Sequence, residues 1–138
     1  MIAYLDSSVL LRIVLGQPDR LKDLALVESA VASELTELEC LRTLDRMRLR
    51  GALSVEELAQ HREAVYRLTE EMTLVAPTRP VLKRAAQPLP TPLGTLDAIH
   101  LSTAMSWHET RARDLVMATH DQALAIAARA VGFPVVGA

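Results

Sequence analysis

The chain has 138 residues and a formal net charge of -2 at neutral pH; half of its residues are hydrophobic and only 3% are aromatic. That length suits a single domain, residues 1–138, with an aliphatic core of its own. The charge excludes a protein that grips nucleic acid by bulk positive potential, and the lone cysteine, Cys40, excludes both an internal disulfide and a cysteine-based zinc cage.

The first element is the apolar run Ile2-Ala3-Tyr4-Leu5, a strand that stops at Asp6-Ser7-Ser8; residues 9–15 then read as a helix closed by Gly16. This opening has no basic leader, meets Asp6 almost at once and carries Arg12 inside its longest apolar run. It is therefore read as neither signal peptide nor membrane span, and the expectation is a cytoplasmic protein. Residues 19–29 look helical, and the small and β-branched stretch Ala30-Val31-Ala32 suggests a second short strand. Ser33 is an N-cap candidate for a helix reaching about residue 50, because Leu35, Leu38, Leu41 and Leu44 recur at helical spacing and Gly51 supplies a stop.

Ser54-Val55-Glu56-Glu57 has the form of a capping box and opens a helix through about residue 70. Thr73-Leu74-Val75 follows as a strand, residues 79–86 as a helix, and residues 87–94, with three prolines, as an extended loop. A helix from Thr95 to about Trp107 comes next, with Asp97 in its first turn. Leu115-Val116-Met117-Ala118 is then a strand ended by Thr119-His120-Asp121. Residues 122–130 complete a last helix with Gly132 as its stop, and Pro134-Val135-Val136 adds an edge strand. Strands alternating with helices imply parallel pairing, so the expected fold class is α/β: a three-layer α/β/α sandwich on a short central parallel sheet.

In such a sheet, sites gather beyond the carboxyl ends of the strands. Asp6 and Asp121 both stand where an apolar strand hands over to a helix, and Asp97 opens another helix, so three carboxylates can meet. Each alone reads equally well as a helix cap. Their conjunction is what points to a hard cation, which relieves the repulsion of gathered like charges. A fourth acid would come from the helix after Ser33. Rotation about its axis places Glu39 beside Leu35 and Glu37 beside Leu41 and Leu44, and leaves the choice open.

The histidines give no metal signature, since no two have a helical ligand spacing. His100 follows Asp97 by three residues, His120 adjoins Asp121, His61 and His108 read as surface positions, and all four are taken as non-ligands, with His100 or His120 left as a candidate for orienting an acidic ligand. Among the basic residues only Lys22 and Lys83 are lysines. Arg42, Arg46 and Arg50 are spaced for one helical stripe, suited to RNA phosphates or a partner protein.

Several segments together carry a family resemblance: Tyr4-Leu5-Asp6-Ser7-Ser8-Val9-Leu10; Ser33-Glu34-Leu35-Thr36-Glu37-Leu38-Glu39 with Leu41-Arg42; Leu96-Asp97-Ala98-Ile99-His100-Leu101; and Ala118-Thr119-His120-Asp121 with Ala127-Ala128 and Gly132 downstream. In this order and spacing the chain resembles a PIN-domain ribonuclease, and within that family a VapC-type toxin of a type II toxin–antitoxin pair. The resemblance implies Glu39 as the fourth acid. It also implies endonucleolytic hydrolysis of RNA by Asp6, Glu39, Asp97 and Asp121 with Mg²⁺ or Mn²⁺, Asp6 and Asp97 being the metal ligands. Ser8 and Thr119 are implied to orient Asp6 or a coordinated water. Implied partners are an RNA substrate, a small antitoxin and a second copy of the chain.

Two other α/β phosphoryl-transfer types place an Asp after the first strand, and both fit less well. A receiver needs paired acids and a late lysine, whereas Ser7 follows Asp6 and no lysine follows Lys83. A dehalogenase-like phosphatase needs a second Asp where Ser8 stands. A PIN-like module that binds RNA or a partner without cutting is the reading from a different class.

Overall fold

A computed structural model describes residues 1–18 and 22–138. The first apolar run forms strand β1 (Ile2–Leu5), and it becomes the middle of a five-stranded, all-parallel sheet. The other strands are β2 (Ser29–Ser33), β3 (Thr73–Val75), β4 (Val116–Ala118) and β5 (Val135–Val136), in the spatial order β3-β2-β1-β4-β5. β1 pairs with β2 through Ala3 opposite Ala30 and with β4 through Leu5 opposite Ala118.

Among the described residues six α-helices cover the sheet: α1 (Ser7–Val14), α2 (Glu34–Leu49), α3 (Val55–Glu70), α4 (Arg79–Ala85), α5 (Thr95–Arg111) and α6 (Gln122–Ala130). The period-two alternation of β1 sorts the layers. Ala3 and Leu5 enter one core with Val9 and Leu10 of α1, Cys40 and Leu44 of α2 and Val65 of α3. Tyr4 enters the other, with Leu101 and Ala104 of α5 and Leu124, Ala127 and Ala128 of α6. This is the three-layer α/β/α sandwich expected, and its core is almost wholly aliphatic. No helix among the described residues is long and apolar enough to cross a membrane.

Local signals account for most element ends. Asp6, Ser33, Ser54 and Asp121 are side-chain N-caps, and the Ser54 and Glu57 capping box is closed in both directions. Gly51 and Gly132 adopt positive φ, 77° and 97°, where they end α2 and α6.

Two expectations are corrected. Of the helix expected over residues 19–29, residues 19–21 lie outside the described residues, Lys22–Leu26 form a single short 3-10 helix, and Ser29 already belongs to β2. Pairing with Ile2 recruits Ser29 into the sheet, a tertiary gain that overrides local helix preference. The helix expected to end near Trp107 runs to Arg111, because nothing before Ala112 breaks it. Ala112 then turns left-handed, with φ 51°, and returns its N–H to the His108 carbonyl.

Candidate metal and catalytic site

The strand order reverses direction at β1, so the crevice opens beyond the carboxyl ends of β1 and β4. Asp6 follows β1 directly, and its N–H still reaches the Ala118 carbonyl at the end of β4, 3.3 Å away. Its side chain is 4% exposed and is held from both sides. Oδ1 accepts from the Ser8 N–H at 3.0 Å and the Ser8 hydroxyl at 2.5 Å; Oδ2 accepts from the Thr119 hydroxyl at 2.7 Å.

The two hydroxyls also accept hydrogen bonds. Ser8 Oγ takes the N–H of His120 at 2.9 Å, and Thr119 Oγ1 takes the N–H of Asp121 at 3.0 Å. The end of β4 is thereby tied to the start of α1 through Asp6. A buried polar group that both gives and receives is fully satisfied, and such a network resists movement. Asp121 caps α6 by accepting the Leu124 N–H on Oδ1 at 2.8 Å.

Asp97 stands in the first turn of α5, whose N-cap Gly94 offers no side-chain bond. Its carboxyl is raised from the usual carboxylate range to about 6, first by burial, then by the negative charges of Asp121 and Asp6, with Glu39 adding a smaller push and His100 opposing them. The chain thus brings Asp6, Asp97, Asp121 and Glu39 within electrostatic reach of one another, from four different elements.

The structure also distinguishes Glu37 from Glu39. Glu37 accepts the Thr69 hydroxyl at 2.7 Å and is spent on the contact between α2 and α3. Glu39 faces the sheet, where Ser7 Oγ lies 3.5 Å from Oε2 and His100 Nε2 lies 2.5 Å from Oε1. The burial of Cys40, next in sequence, pushes its thiol up to about 12, with Glu39 and Asp6 contributing, so it is an inert core thiol.

A family model described as PIN domain matches residues 3–130. The chain belongs to the PIN-domain family. Solved structures similar to this PIN domain include a toxin–antitoxin complex from Klebsiella pneumoniae, at 16% identity and TM-score 0.66, over 89% of this chain and 90% of that one. VapBC2 from Rickettsia felis, bound to a DNA fragment from its promoter, is similar at 13% identity and TM-score 0.65, over 98% and 97%. VapBC-1 from nontypeable Haemophilus influenzae is similar at 20% identity and TM-score 0.58, over 98% and 96%. No curated protein matches the sequence.

The donor set of this PIN domain is made of carboxylate oxygens, which suits a hard divalent cation. Among the described residues no three His, Cys, Asp or Glu side chains already stand close enough to enclose an ion. Arg42, Arg46 and Arg50 stand exposed along α2; Arg42 is paired with Asp45 and Arg46 with the Thr43 hydroxyl.

Buried Tyr4, whose hydroxyl lies 2.7 Å from His100 Nδ1, was not legible as a site residue from the sequence, and His100 was legible there only as a candidate assistant to the acids, not as the neighbour of Glu39. The available signal was the three-residue step from Asp97 to His100 on one helix, which puts both on the same face. His120 keeps its side chain off the acids, with Nδ1 on the Gly137 carbonyl, and His108 lies against Phe133.

Proposed function

We propose that this PIN domain is a metal-dependent endoribonuclease and the toxin of a toxin–antitoxin pair that inhibits translation, with Asp6, Glu39, Asp97 and Asp121 as its working acids. The observation that carries this reading is the gathering of four acids beyond the carboxyl ends of β1 and β4: Asp6 fixed by Ser8 and Thr119, Asp121 tied to Thr119, Glu39 against His100, and Asp97, whose carboxyl is raised first by burial and then by the charges of Asp121 and Asp6. A fold gains nothing from holding like charges together in a half-buried crevice. It gains a strong site for a divalent cation.

Asp6 and Asp97 are the assigned ligands, with Glu39 and Asp121 completing the site directly or through water. Mg²⁺ and Mn²⁺ fit the oxygen donors. When bound, such a cation supplies Lewis acidity, an acidified water nucleophile and shielding for the charge that develops on the phosphate. The protein's own part is positioning. Ser8 and Thr119 hold both oxygens of Asp6 at fixed angles, and the caps at the starts of α1 and α6 leave Asp6 and Asp121 little freedom. No side-chain nucleophile is required.

The exposed stripe of Arg42, Arg46 and Arg50 serves RNA phosphates or the antitoxin. The partner is a small antitoxin with a basic C-terminal segment that crosses and neutralises the acids, and two copies of the chain form a homodimer. The similarity to toxin–antitoxin complexes supports this partner.

The test is incubation of purified, antitoxin-free protein with a pool of structured RNAs and Mg²⁺ or Mn²⁺, beside an EDTA control and the variant Asp6→Asn. Cleavage by the wild type alone is expected. A folded wild type that cuts nothing with either metal would make the non-cutting binding module the better account.

A further inference from the structure

Glu39 is the odd member of the four acids. Asp6, Asp97 and Asp121 each sit within the first turn of a helix, where cap hydrogen bonds or short tethers limit their motion. Glu39 lies in the second turn of α2, on a longer side chain with more rotatable bonds and no capping role. Left to itself, it would sample several rotamers.

What it meets instead is the imidazole of His100, itself 1% exposed. Behind the ring lies the hydroxyl of Tyr4, which is fully buried. The chain Tyr4, His100, Glu39 therefore runs from the core beneath β1 to the edge of the crevice.

The direction of the hydrogens in this chain follows from its outer end. A carboxylate oxygen accepts and does not donate, so the contact between His100 Nε2 and Glu39 Oε1 places a proton on Nε2. A neutral imidazole protonated there accepts at Nδ1, and the Tyr4 hydroxyl, 2.7 Å away, is the donor.

We infer that Tyr4 and His100 are positioning residues that lock the imidazole in the Nε2–H tautomer and thereby hold Glu39 in the one rotamer that faces the other acids. The inference rests on the nuclease reading for its functional meaning, though the hydrogen-bond chain itself stands in the metal-free protein. The alternative is that His100 is merely a satisfied core residue whose contact with Glu39 has no consequence for the site.

Long-range nitrogen–proton NMR correlation of metal-free wild type at neutral pH reads the tautomer directly. A pyrrole-like Nε2 and a pyridine-like Nδ1 are expected for His100; the opposite tautomer, or an imidazolium, overturns the inference. The functional arm compares His100→Gln, whose amide nitrogen falls near the Nε2 position, with His100→Asn, whose amide nitrogen falls near Nδ1. Calorimetric Mn²⁺ affinity and RNA cleavage are measured on both, with melting temperatures as a check of folding.

His100→Gln should keep both properties near wild type. His100→Asn should lose about 10–100-fold in Mn²⁺ affinity or kcat, with KM for RNA little changed, as expected when the partner that orients a ligand is removed. Equal behaviour of the two variants, whether both unchanged or both impaired, overturns the inference. Should wild type bind Mn²⁺ but cut no RNA, the nuclease reading fails while the tautomer and the affinity ranking still decide the positioning role. Should both variants fail to fold, the wild-type tautomer decides it.

Discussion

Replacing Asp97 with Asn should stabilise the metal-free protein. The change keeps the shape of the side chain and removes a charge that the fold holds at a cost. Burial and the charges of Asp121, Asp6 and Glu39 raise the Asp97 carboxyl from 3.8 to about 6. Each pKa unit corresponds to about 1.4 kcal/mol, so the shift represents at most about 3 kcal/mol. The start of α5 works the other way, but a helix dipole contributes only about 0.3–1 kcal/mol. Asp97 is only half-buried, and solvent screening reduces the remainder to about 1–2 kcal/mol.

The sign follows from linkage. The folded state holds this proton more tightly than the unfolded chain does, so stability falls as pH rises from about 4 to about 6 and does not recover above that range. Urea unfolding in EDTA at about pH 8 should therefore show Asp97→Asn more stable than wild type by about 1–2 kcal/mol, and near pH 4 the two should coincide. Added Mn²⁺ should then raise the wild-type midpoint and leave the variant almost unmoved. A variant no more stable than wild type at the higher pH would refute the repulsion argument.

Other substitutions separate the site from the scaffold. Thr119→Val removes a hydroxyl that bonds both Asp6 Oδ2 and the Asp121 N–H, and should cost about 1–3 kcal/mol in denaturant unfolding together with a loss of cleavage. Ser54→Ala opens the capping box far from the acids and should cost about 1 kcal/mol of stability while leaving cleavage per folded molecule unchanged. Arg46→Ala should weaken RNA binding more at low than at high salt; identical binding across a salt titration would remove Arg46 from the RNA surface.

Much of this arrangement was legible because its signals are local. A four-residue apolar strand ending in Asp6, a capping box at Ser54 and glycine stops at residues 51 and 132 each act within a few residues, and the layers follow from them. The failures are nonlocal. Residues 27–29 have no sequence mark that says Ser29 will pair with Ile2, and the true end of α5 depends on an alanine taking a conformation more usual for glycine. The same holds at the site. Helix rotation could not choose between Glu37 and Glu39, because the choice is made by Thr69 on α3 and His100 on α5. His100 was legible only as a candidate assistant to the acids, because its partners Tyr4 and Glu39 are distant in sequence and meet it only through the packing of α5 on β1 and beside α2.

The central claim is that the four carboxylates form one divalent-cation site, and its most direct test is an anomalous difference map from crystals of the antitoxin-free protein soaked in Mn²⁺. The account predicts a peak coordinated by Asp6 and Asp97, within reach of Glu39 and Asp121, that disappears in Asp6→Asn. Well-ordered crystals with no peak there, or with a peak only among other side chains, would contradict it.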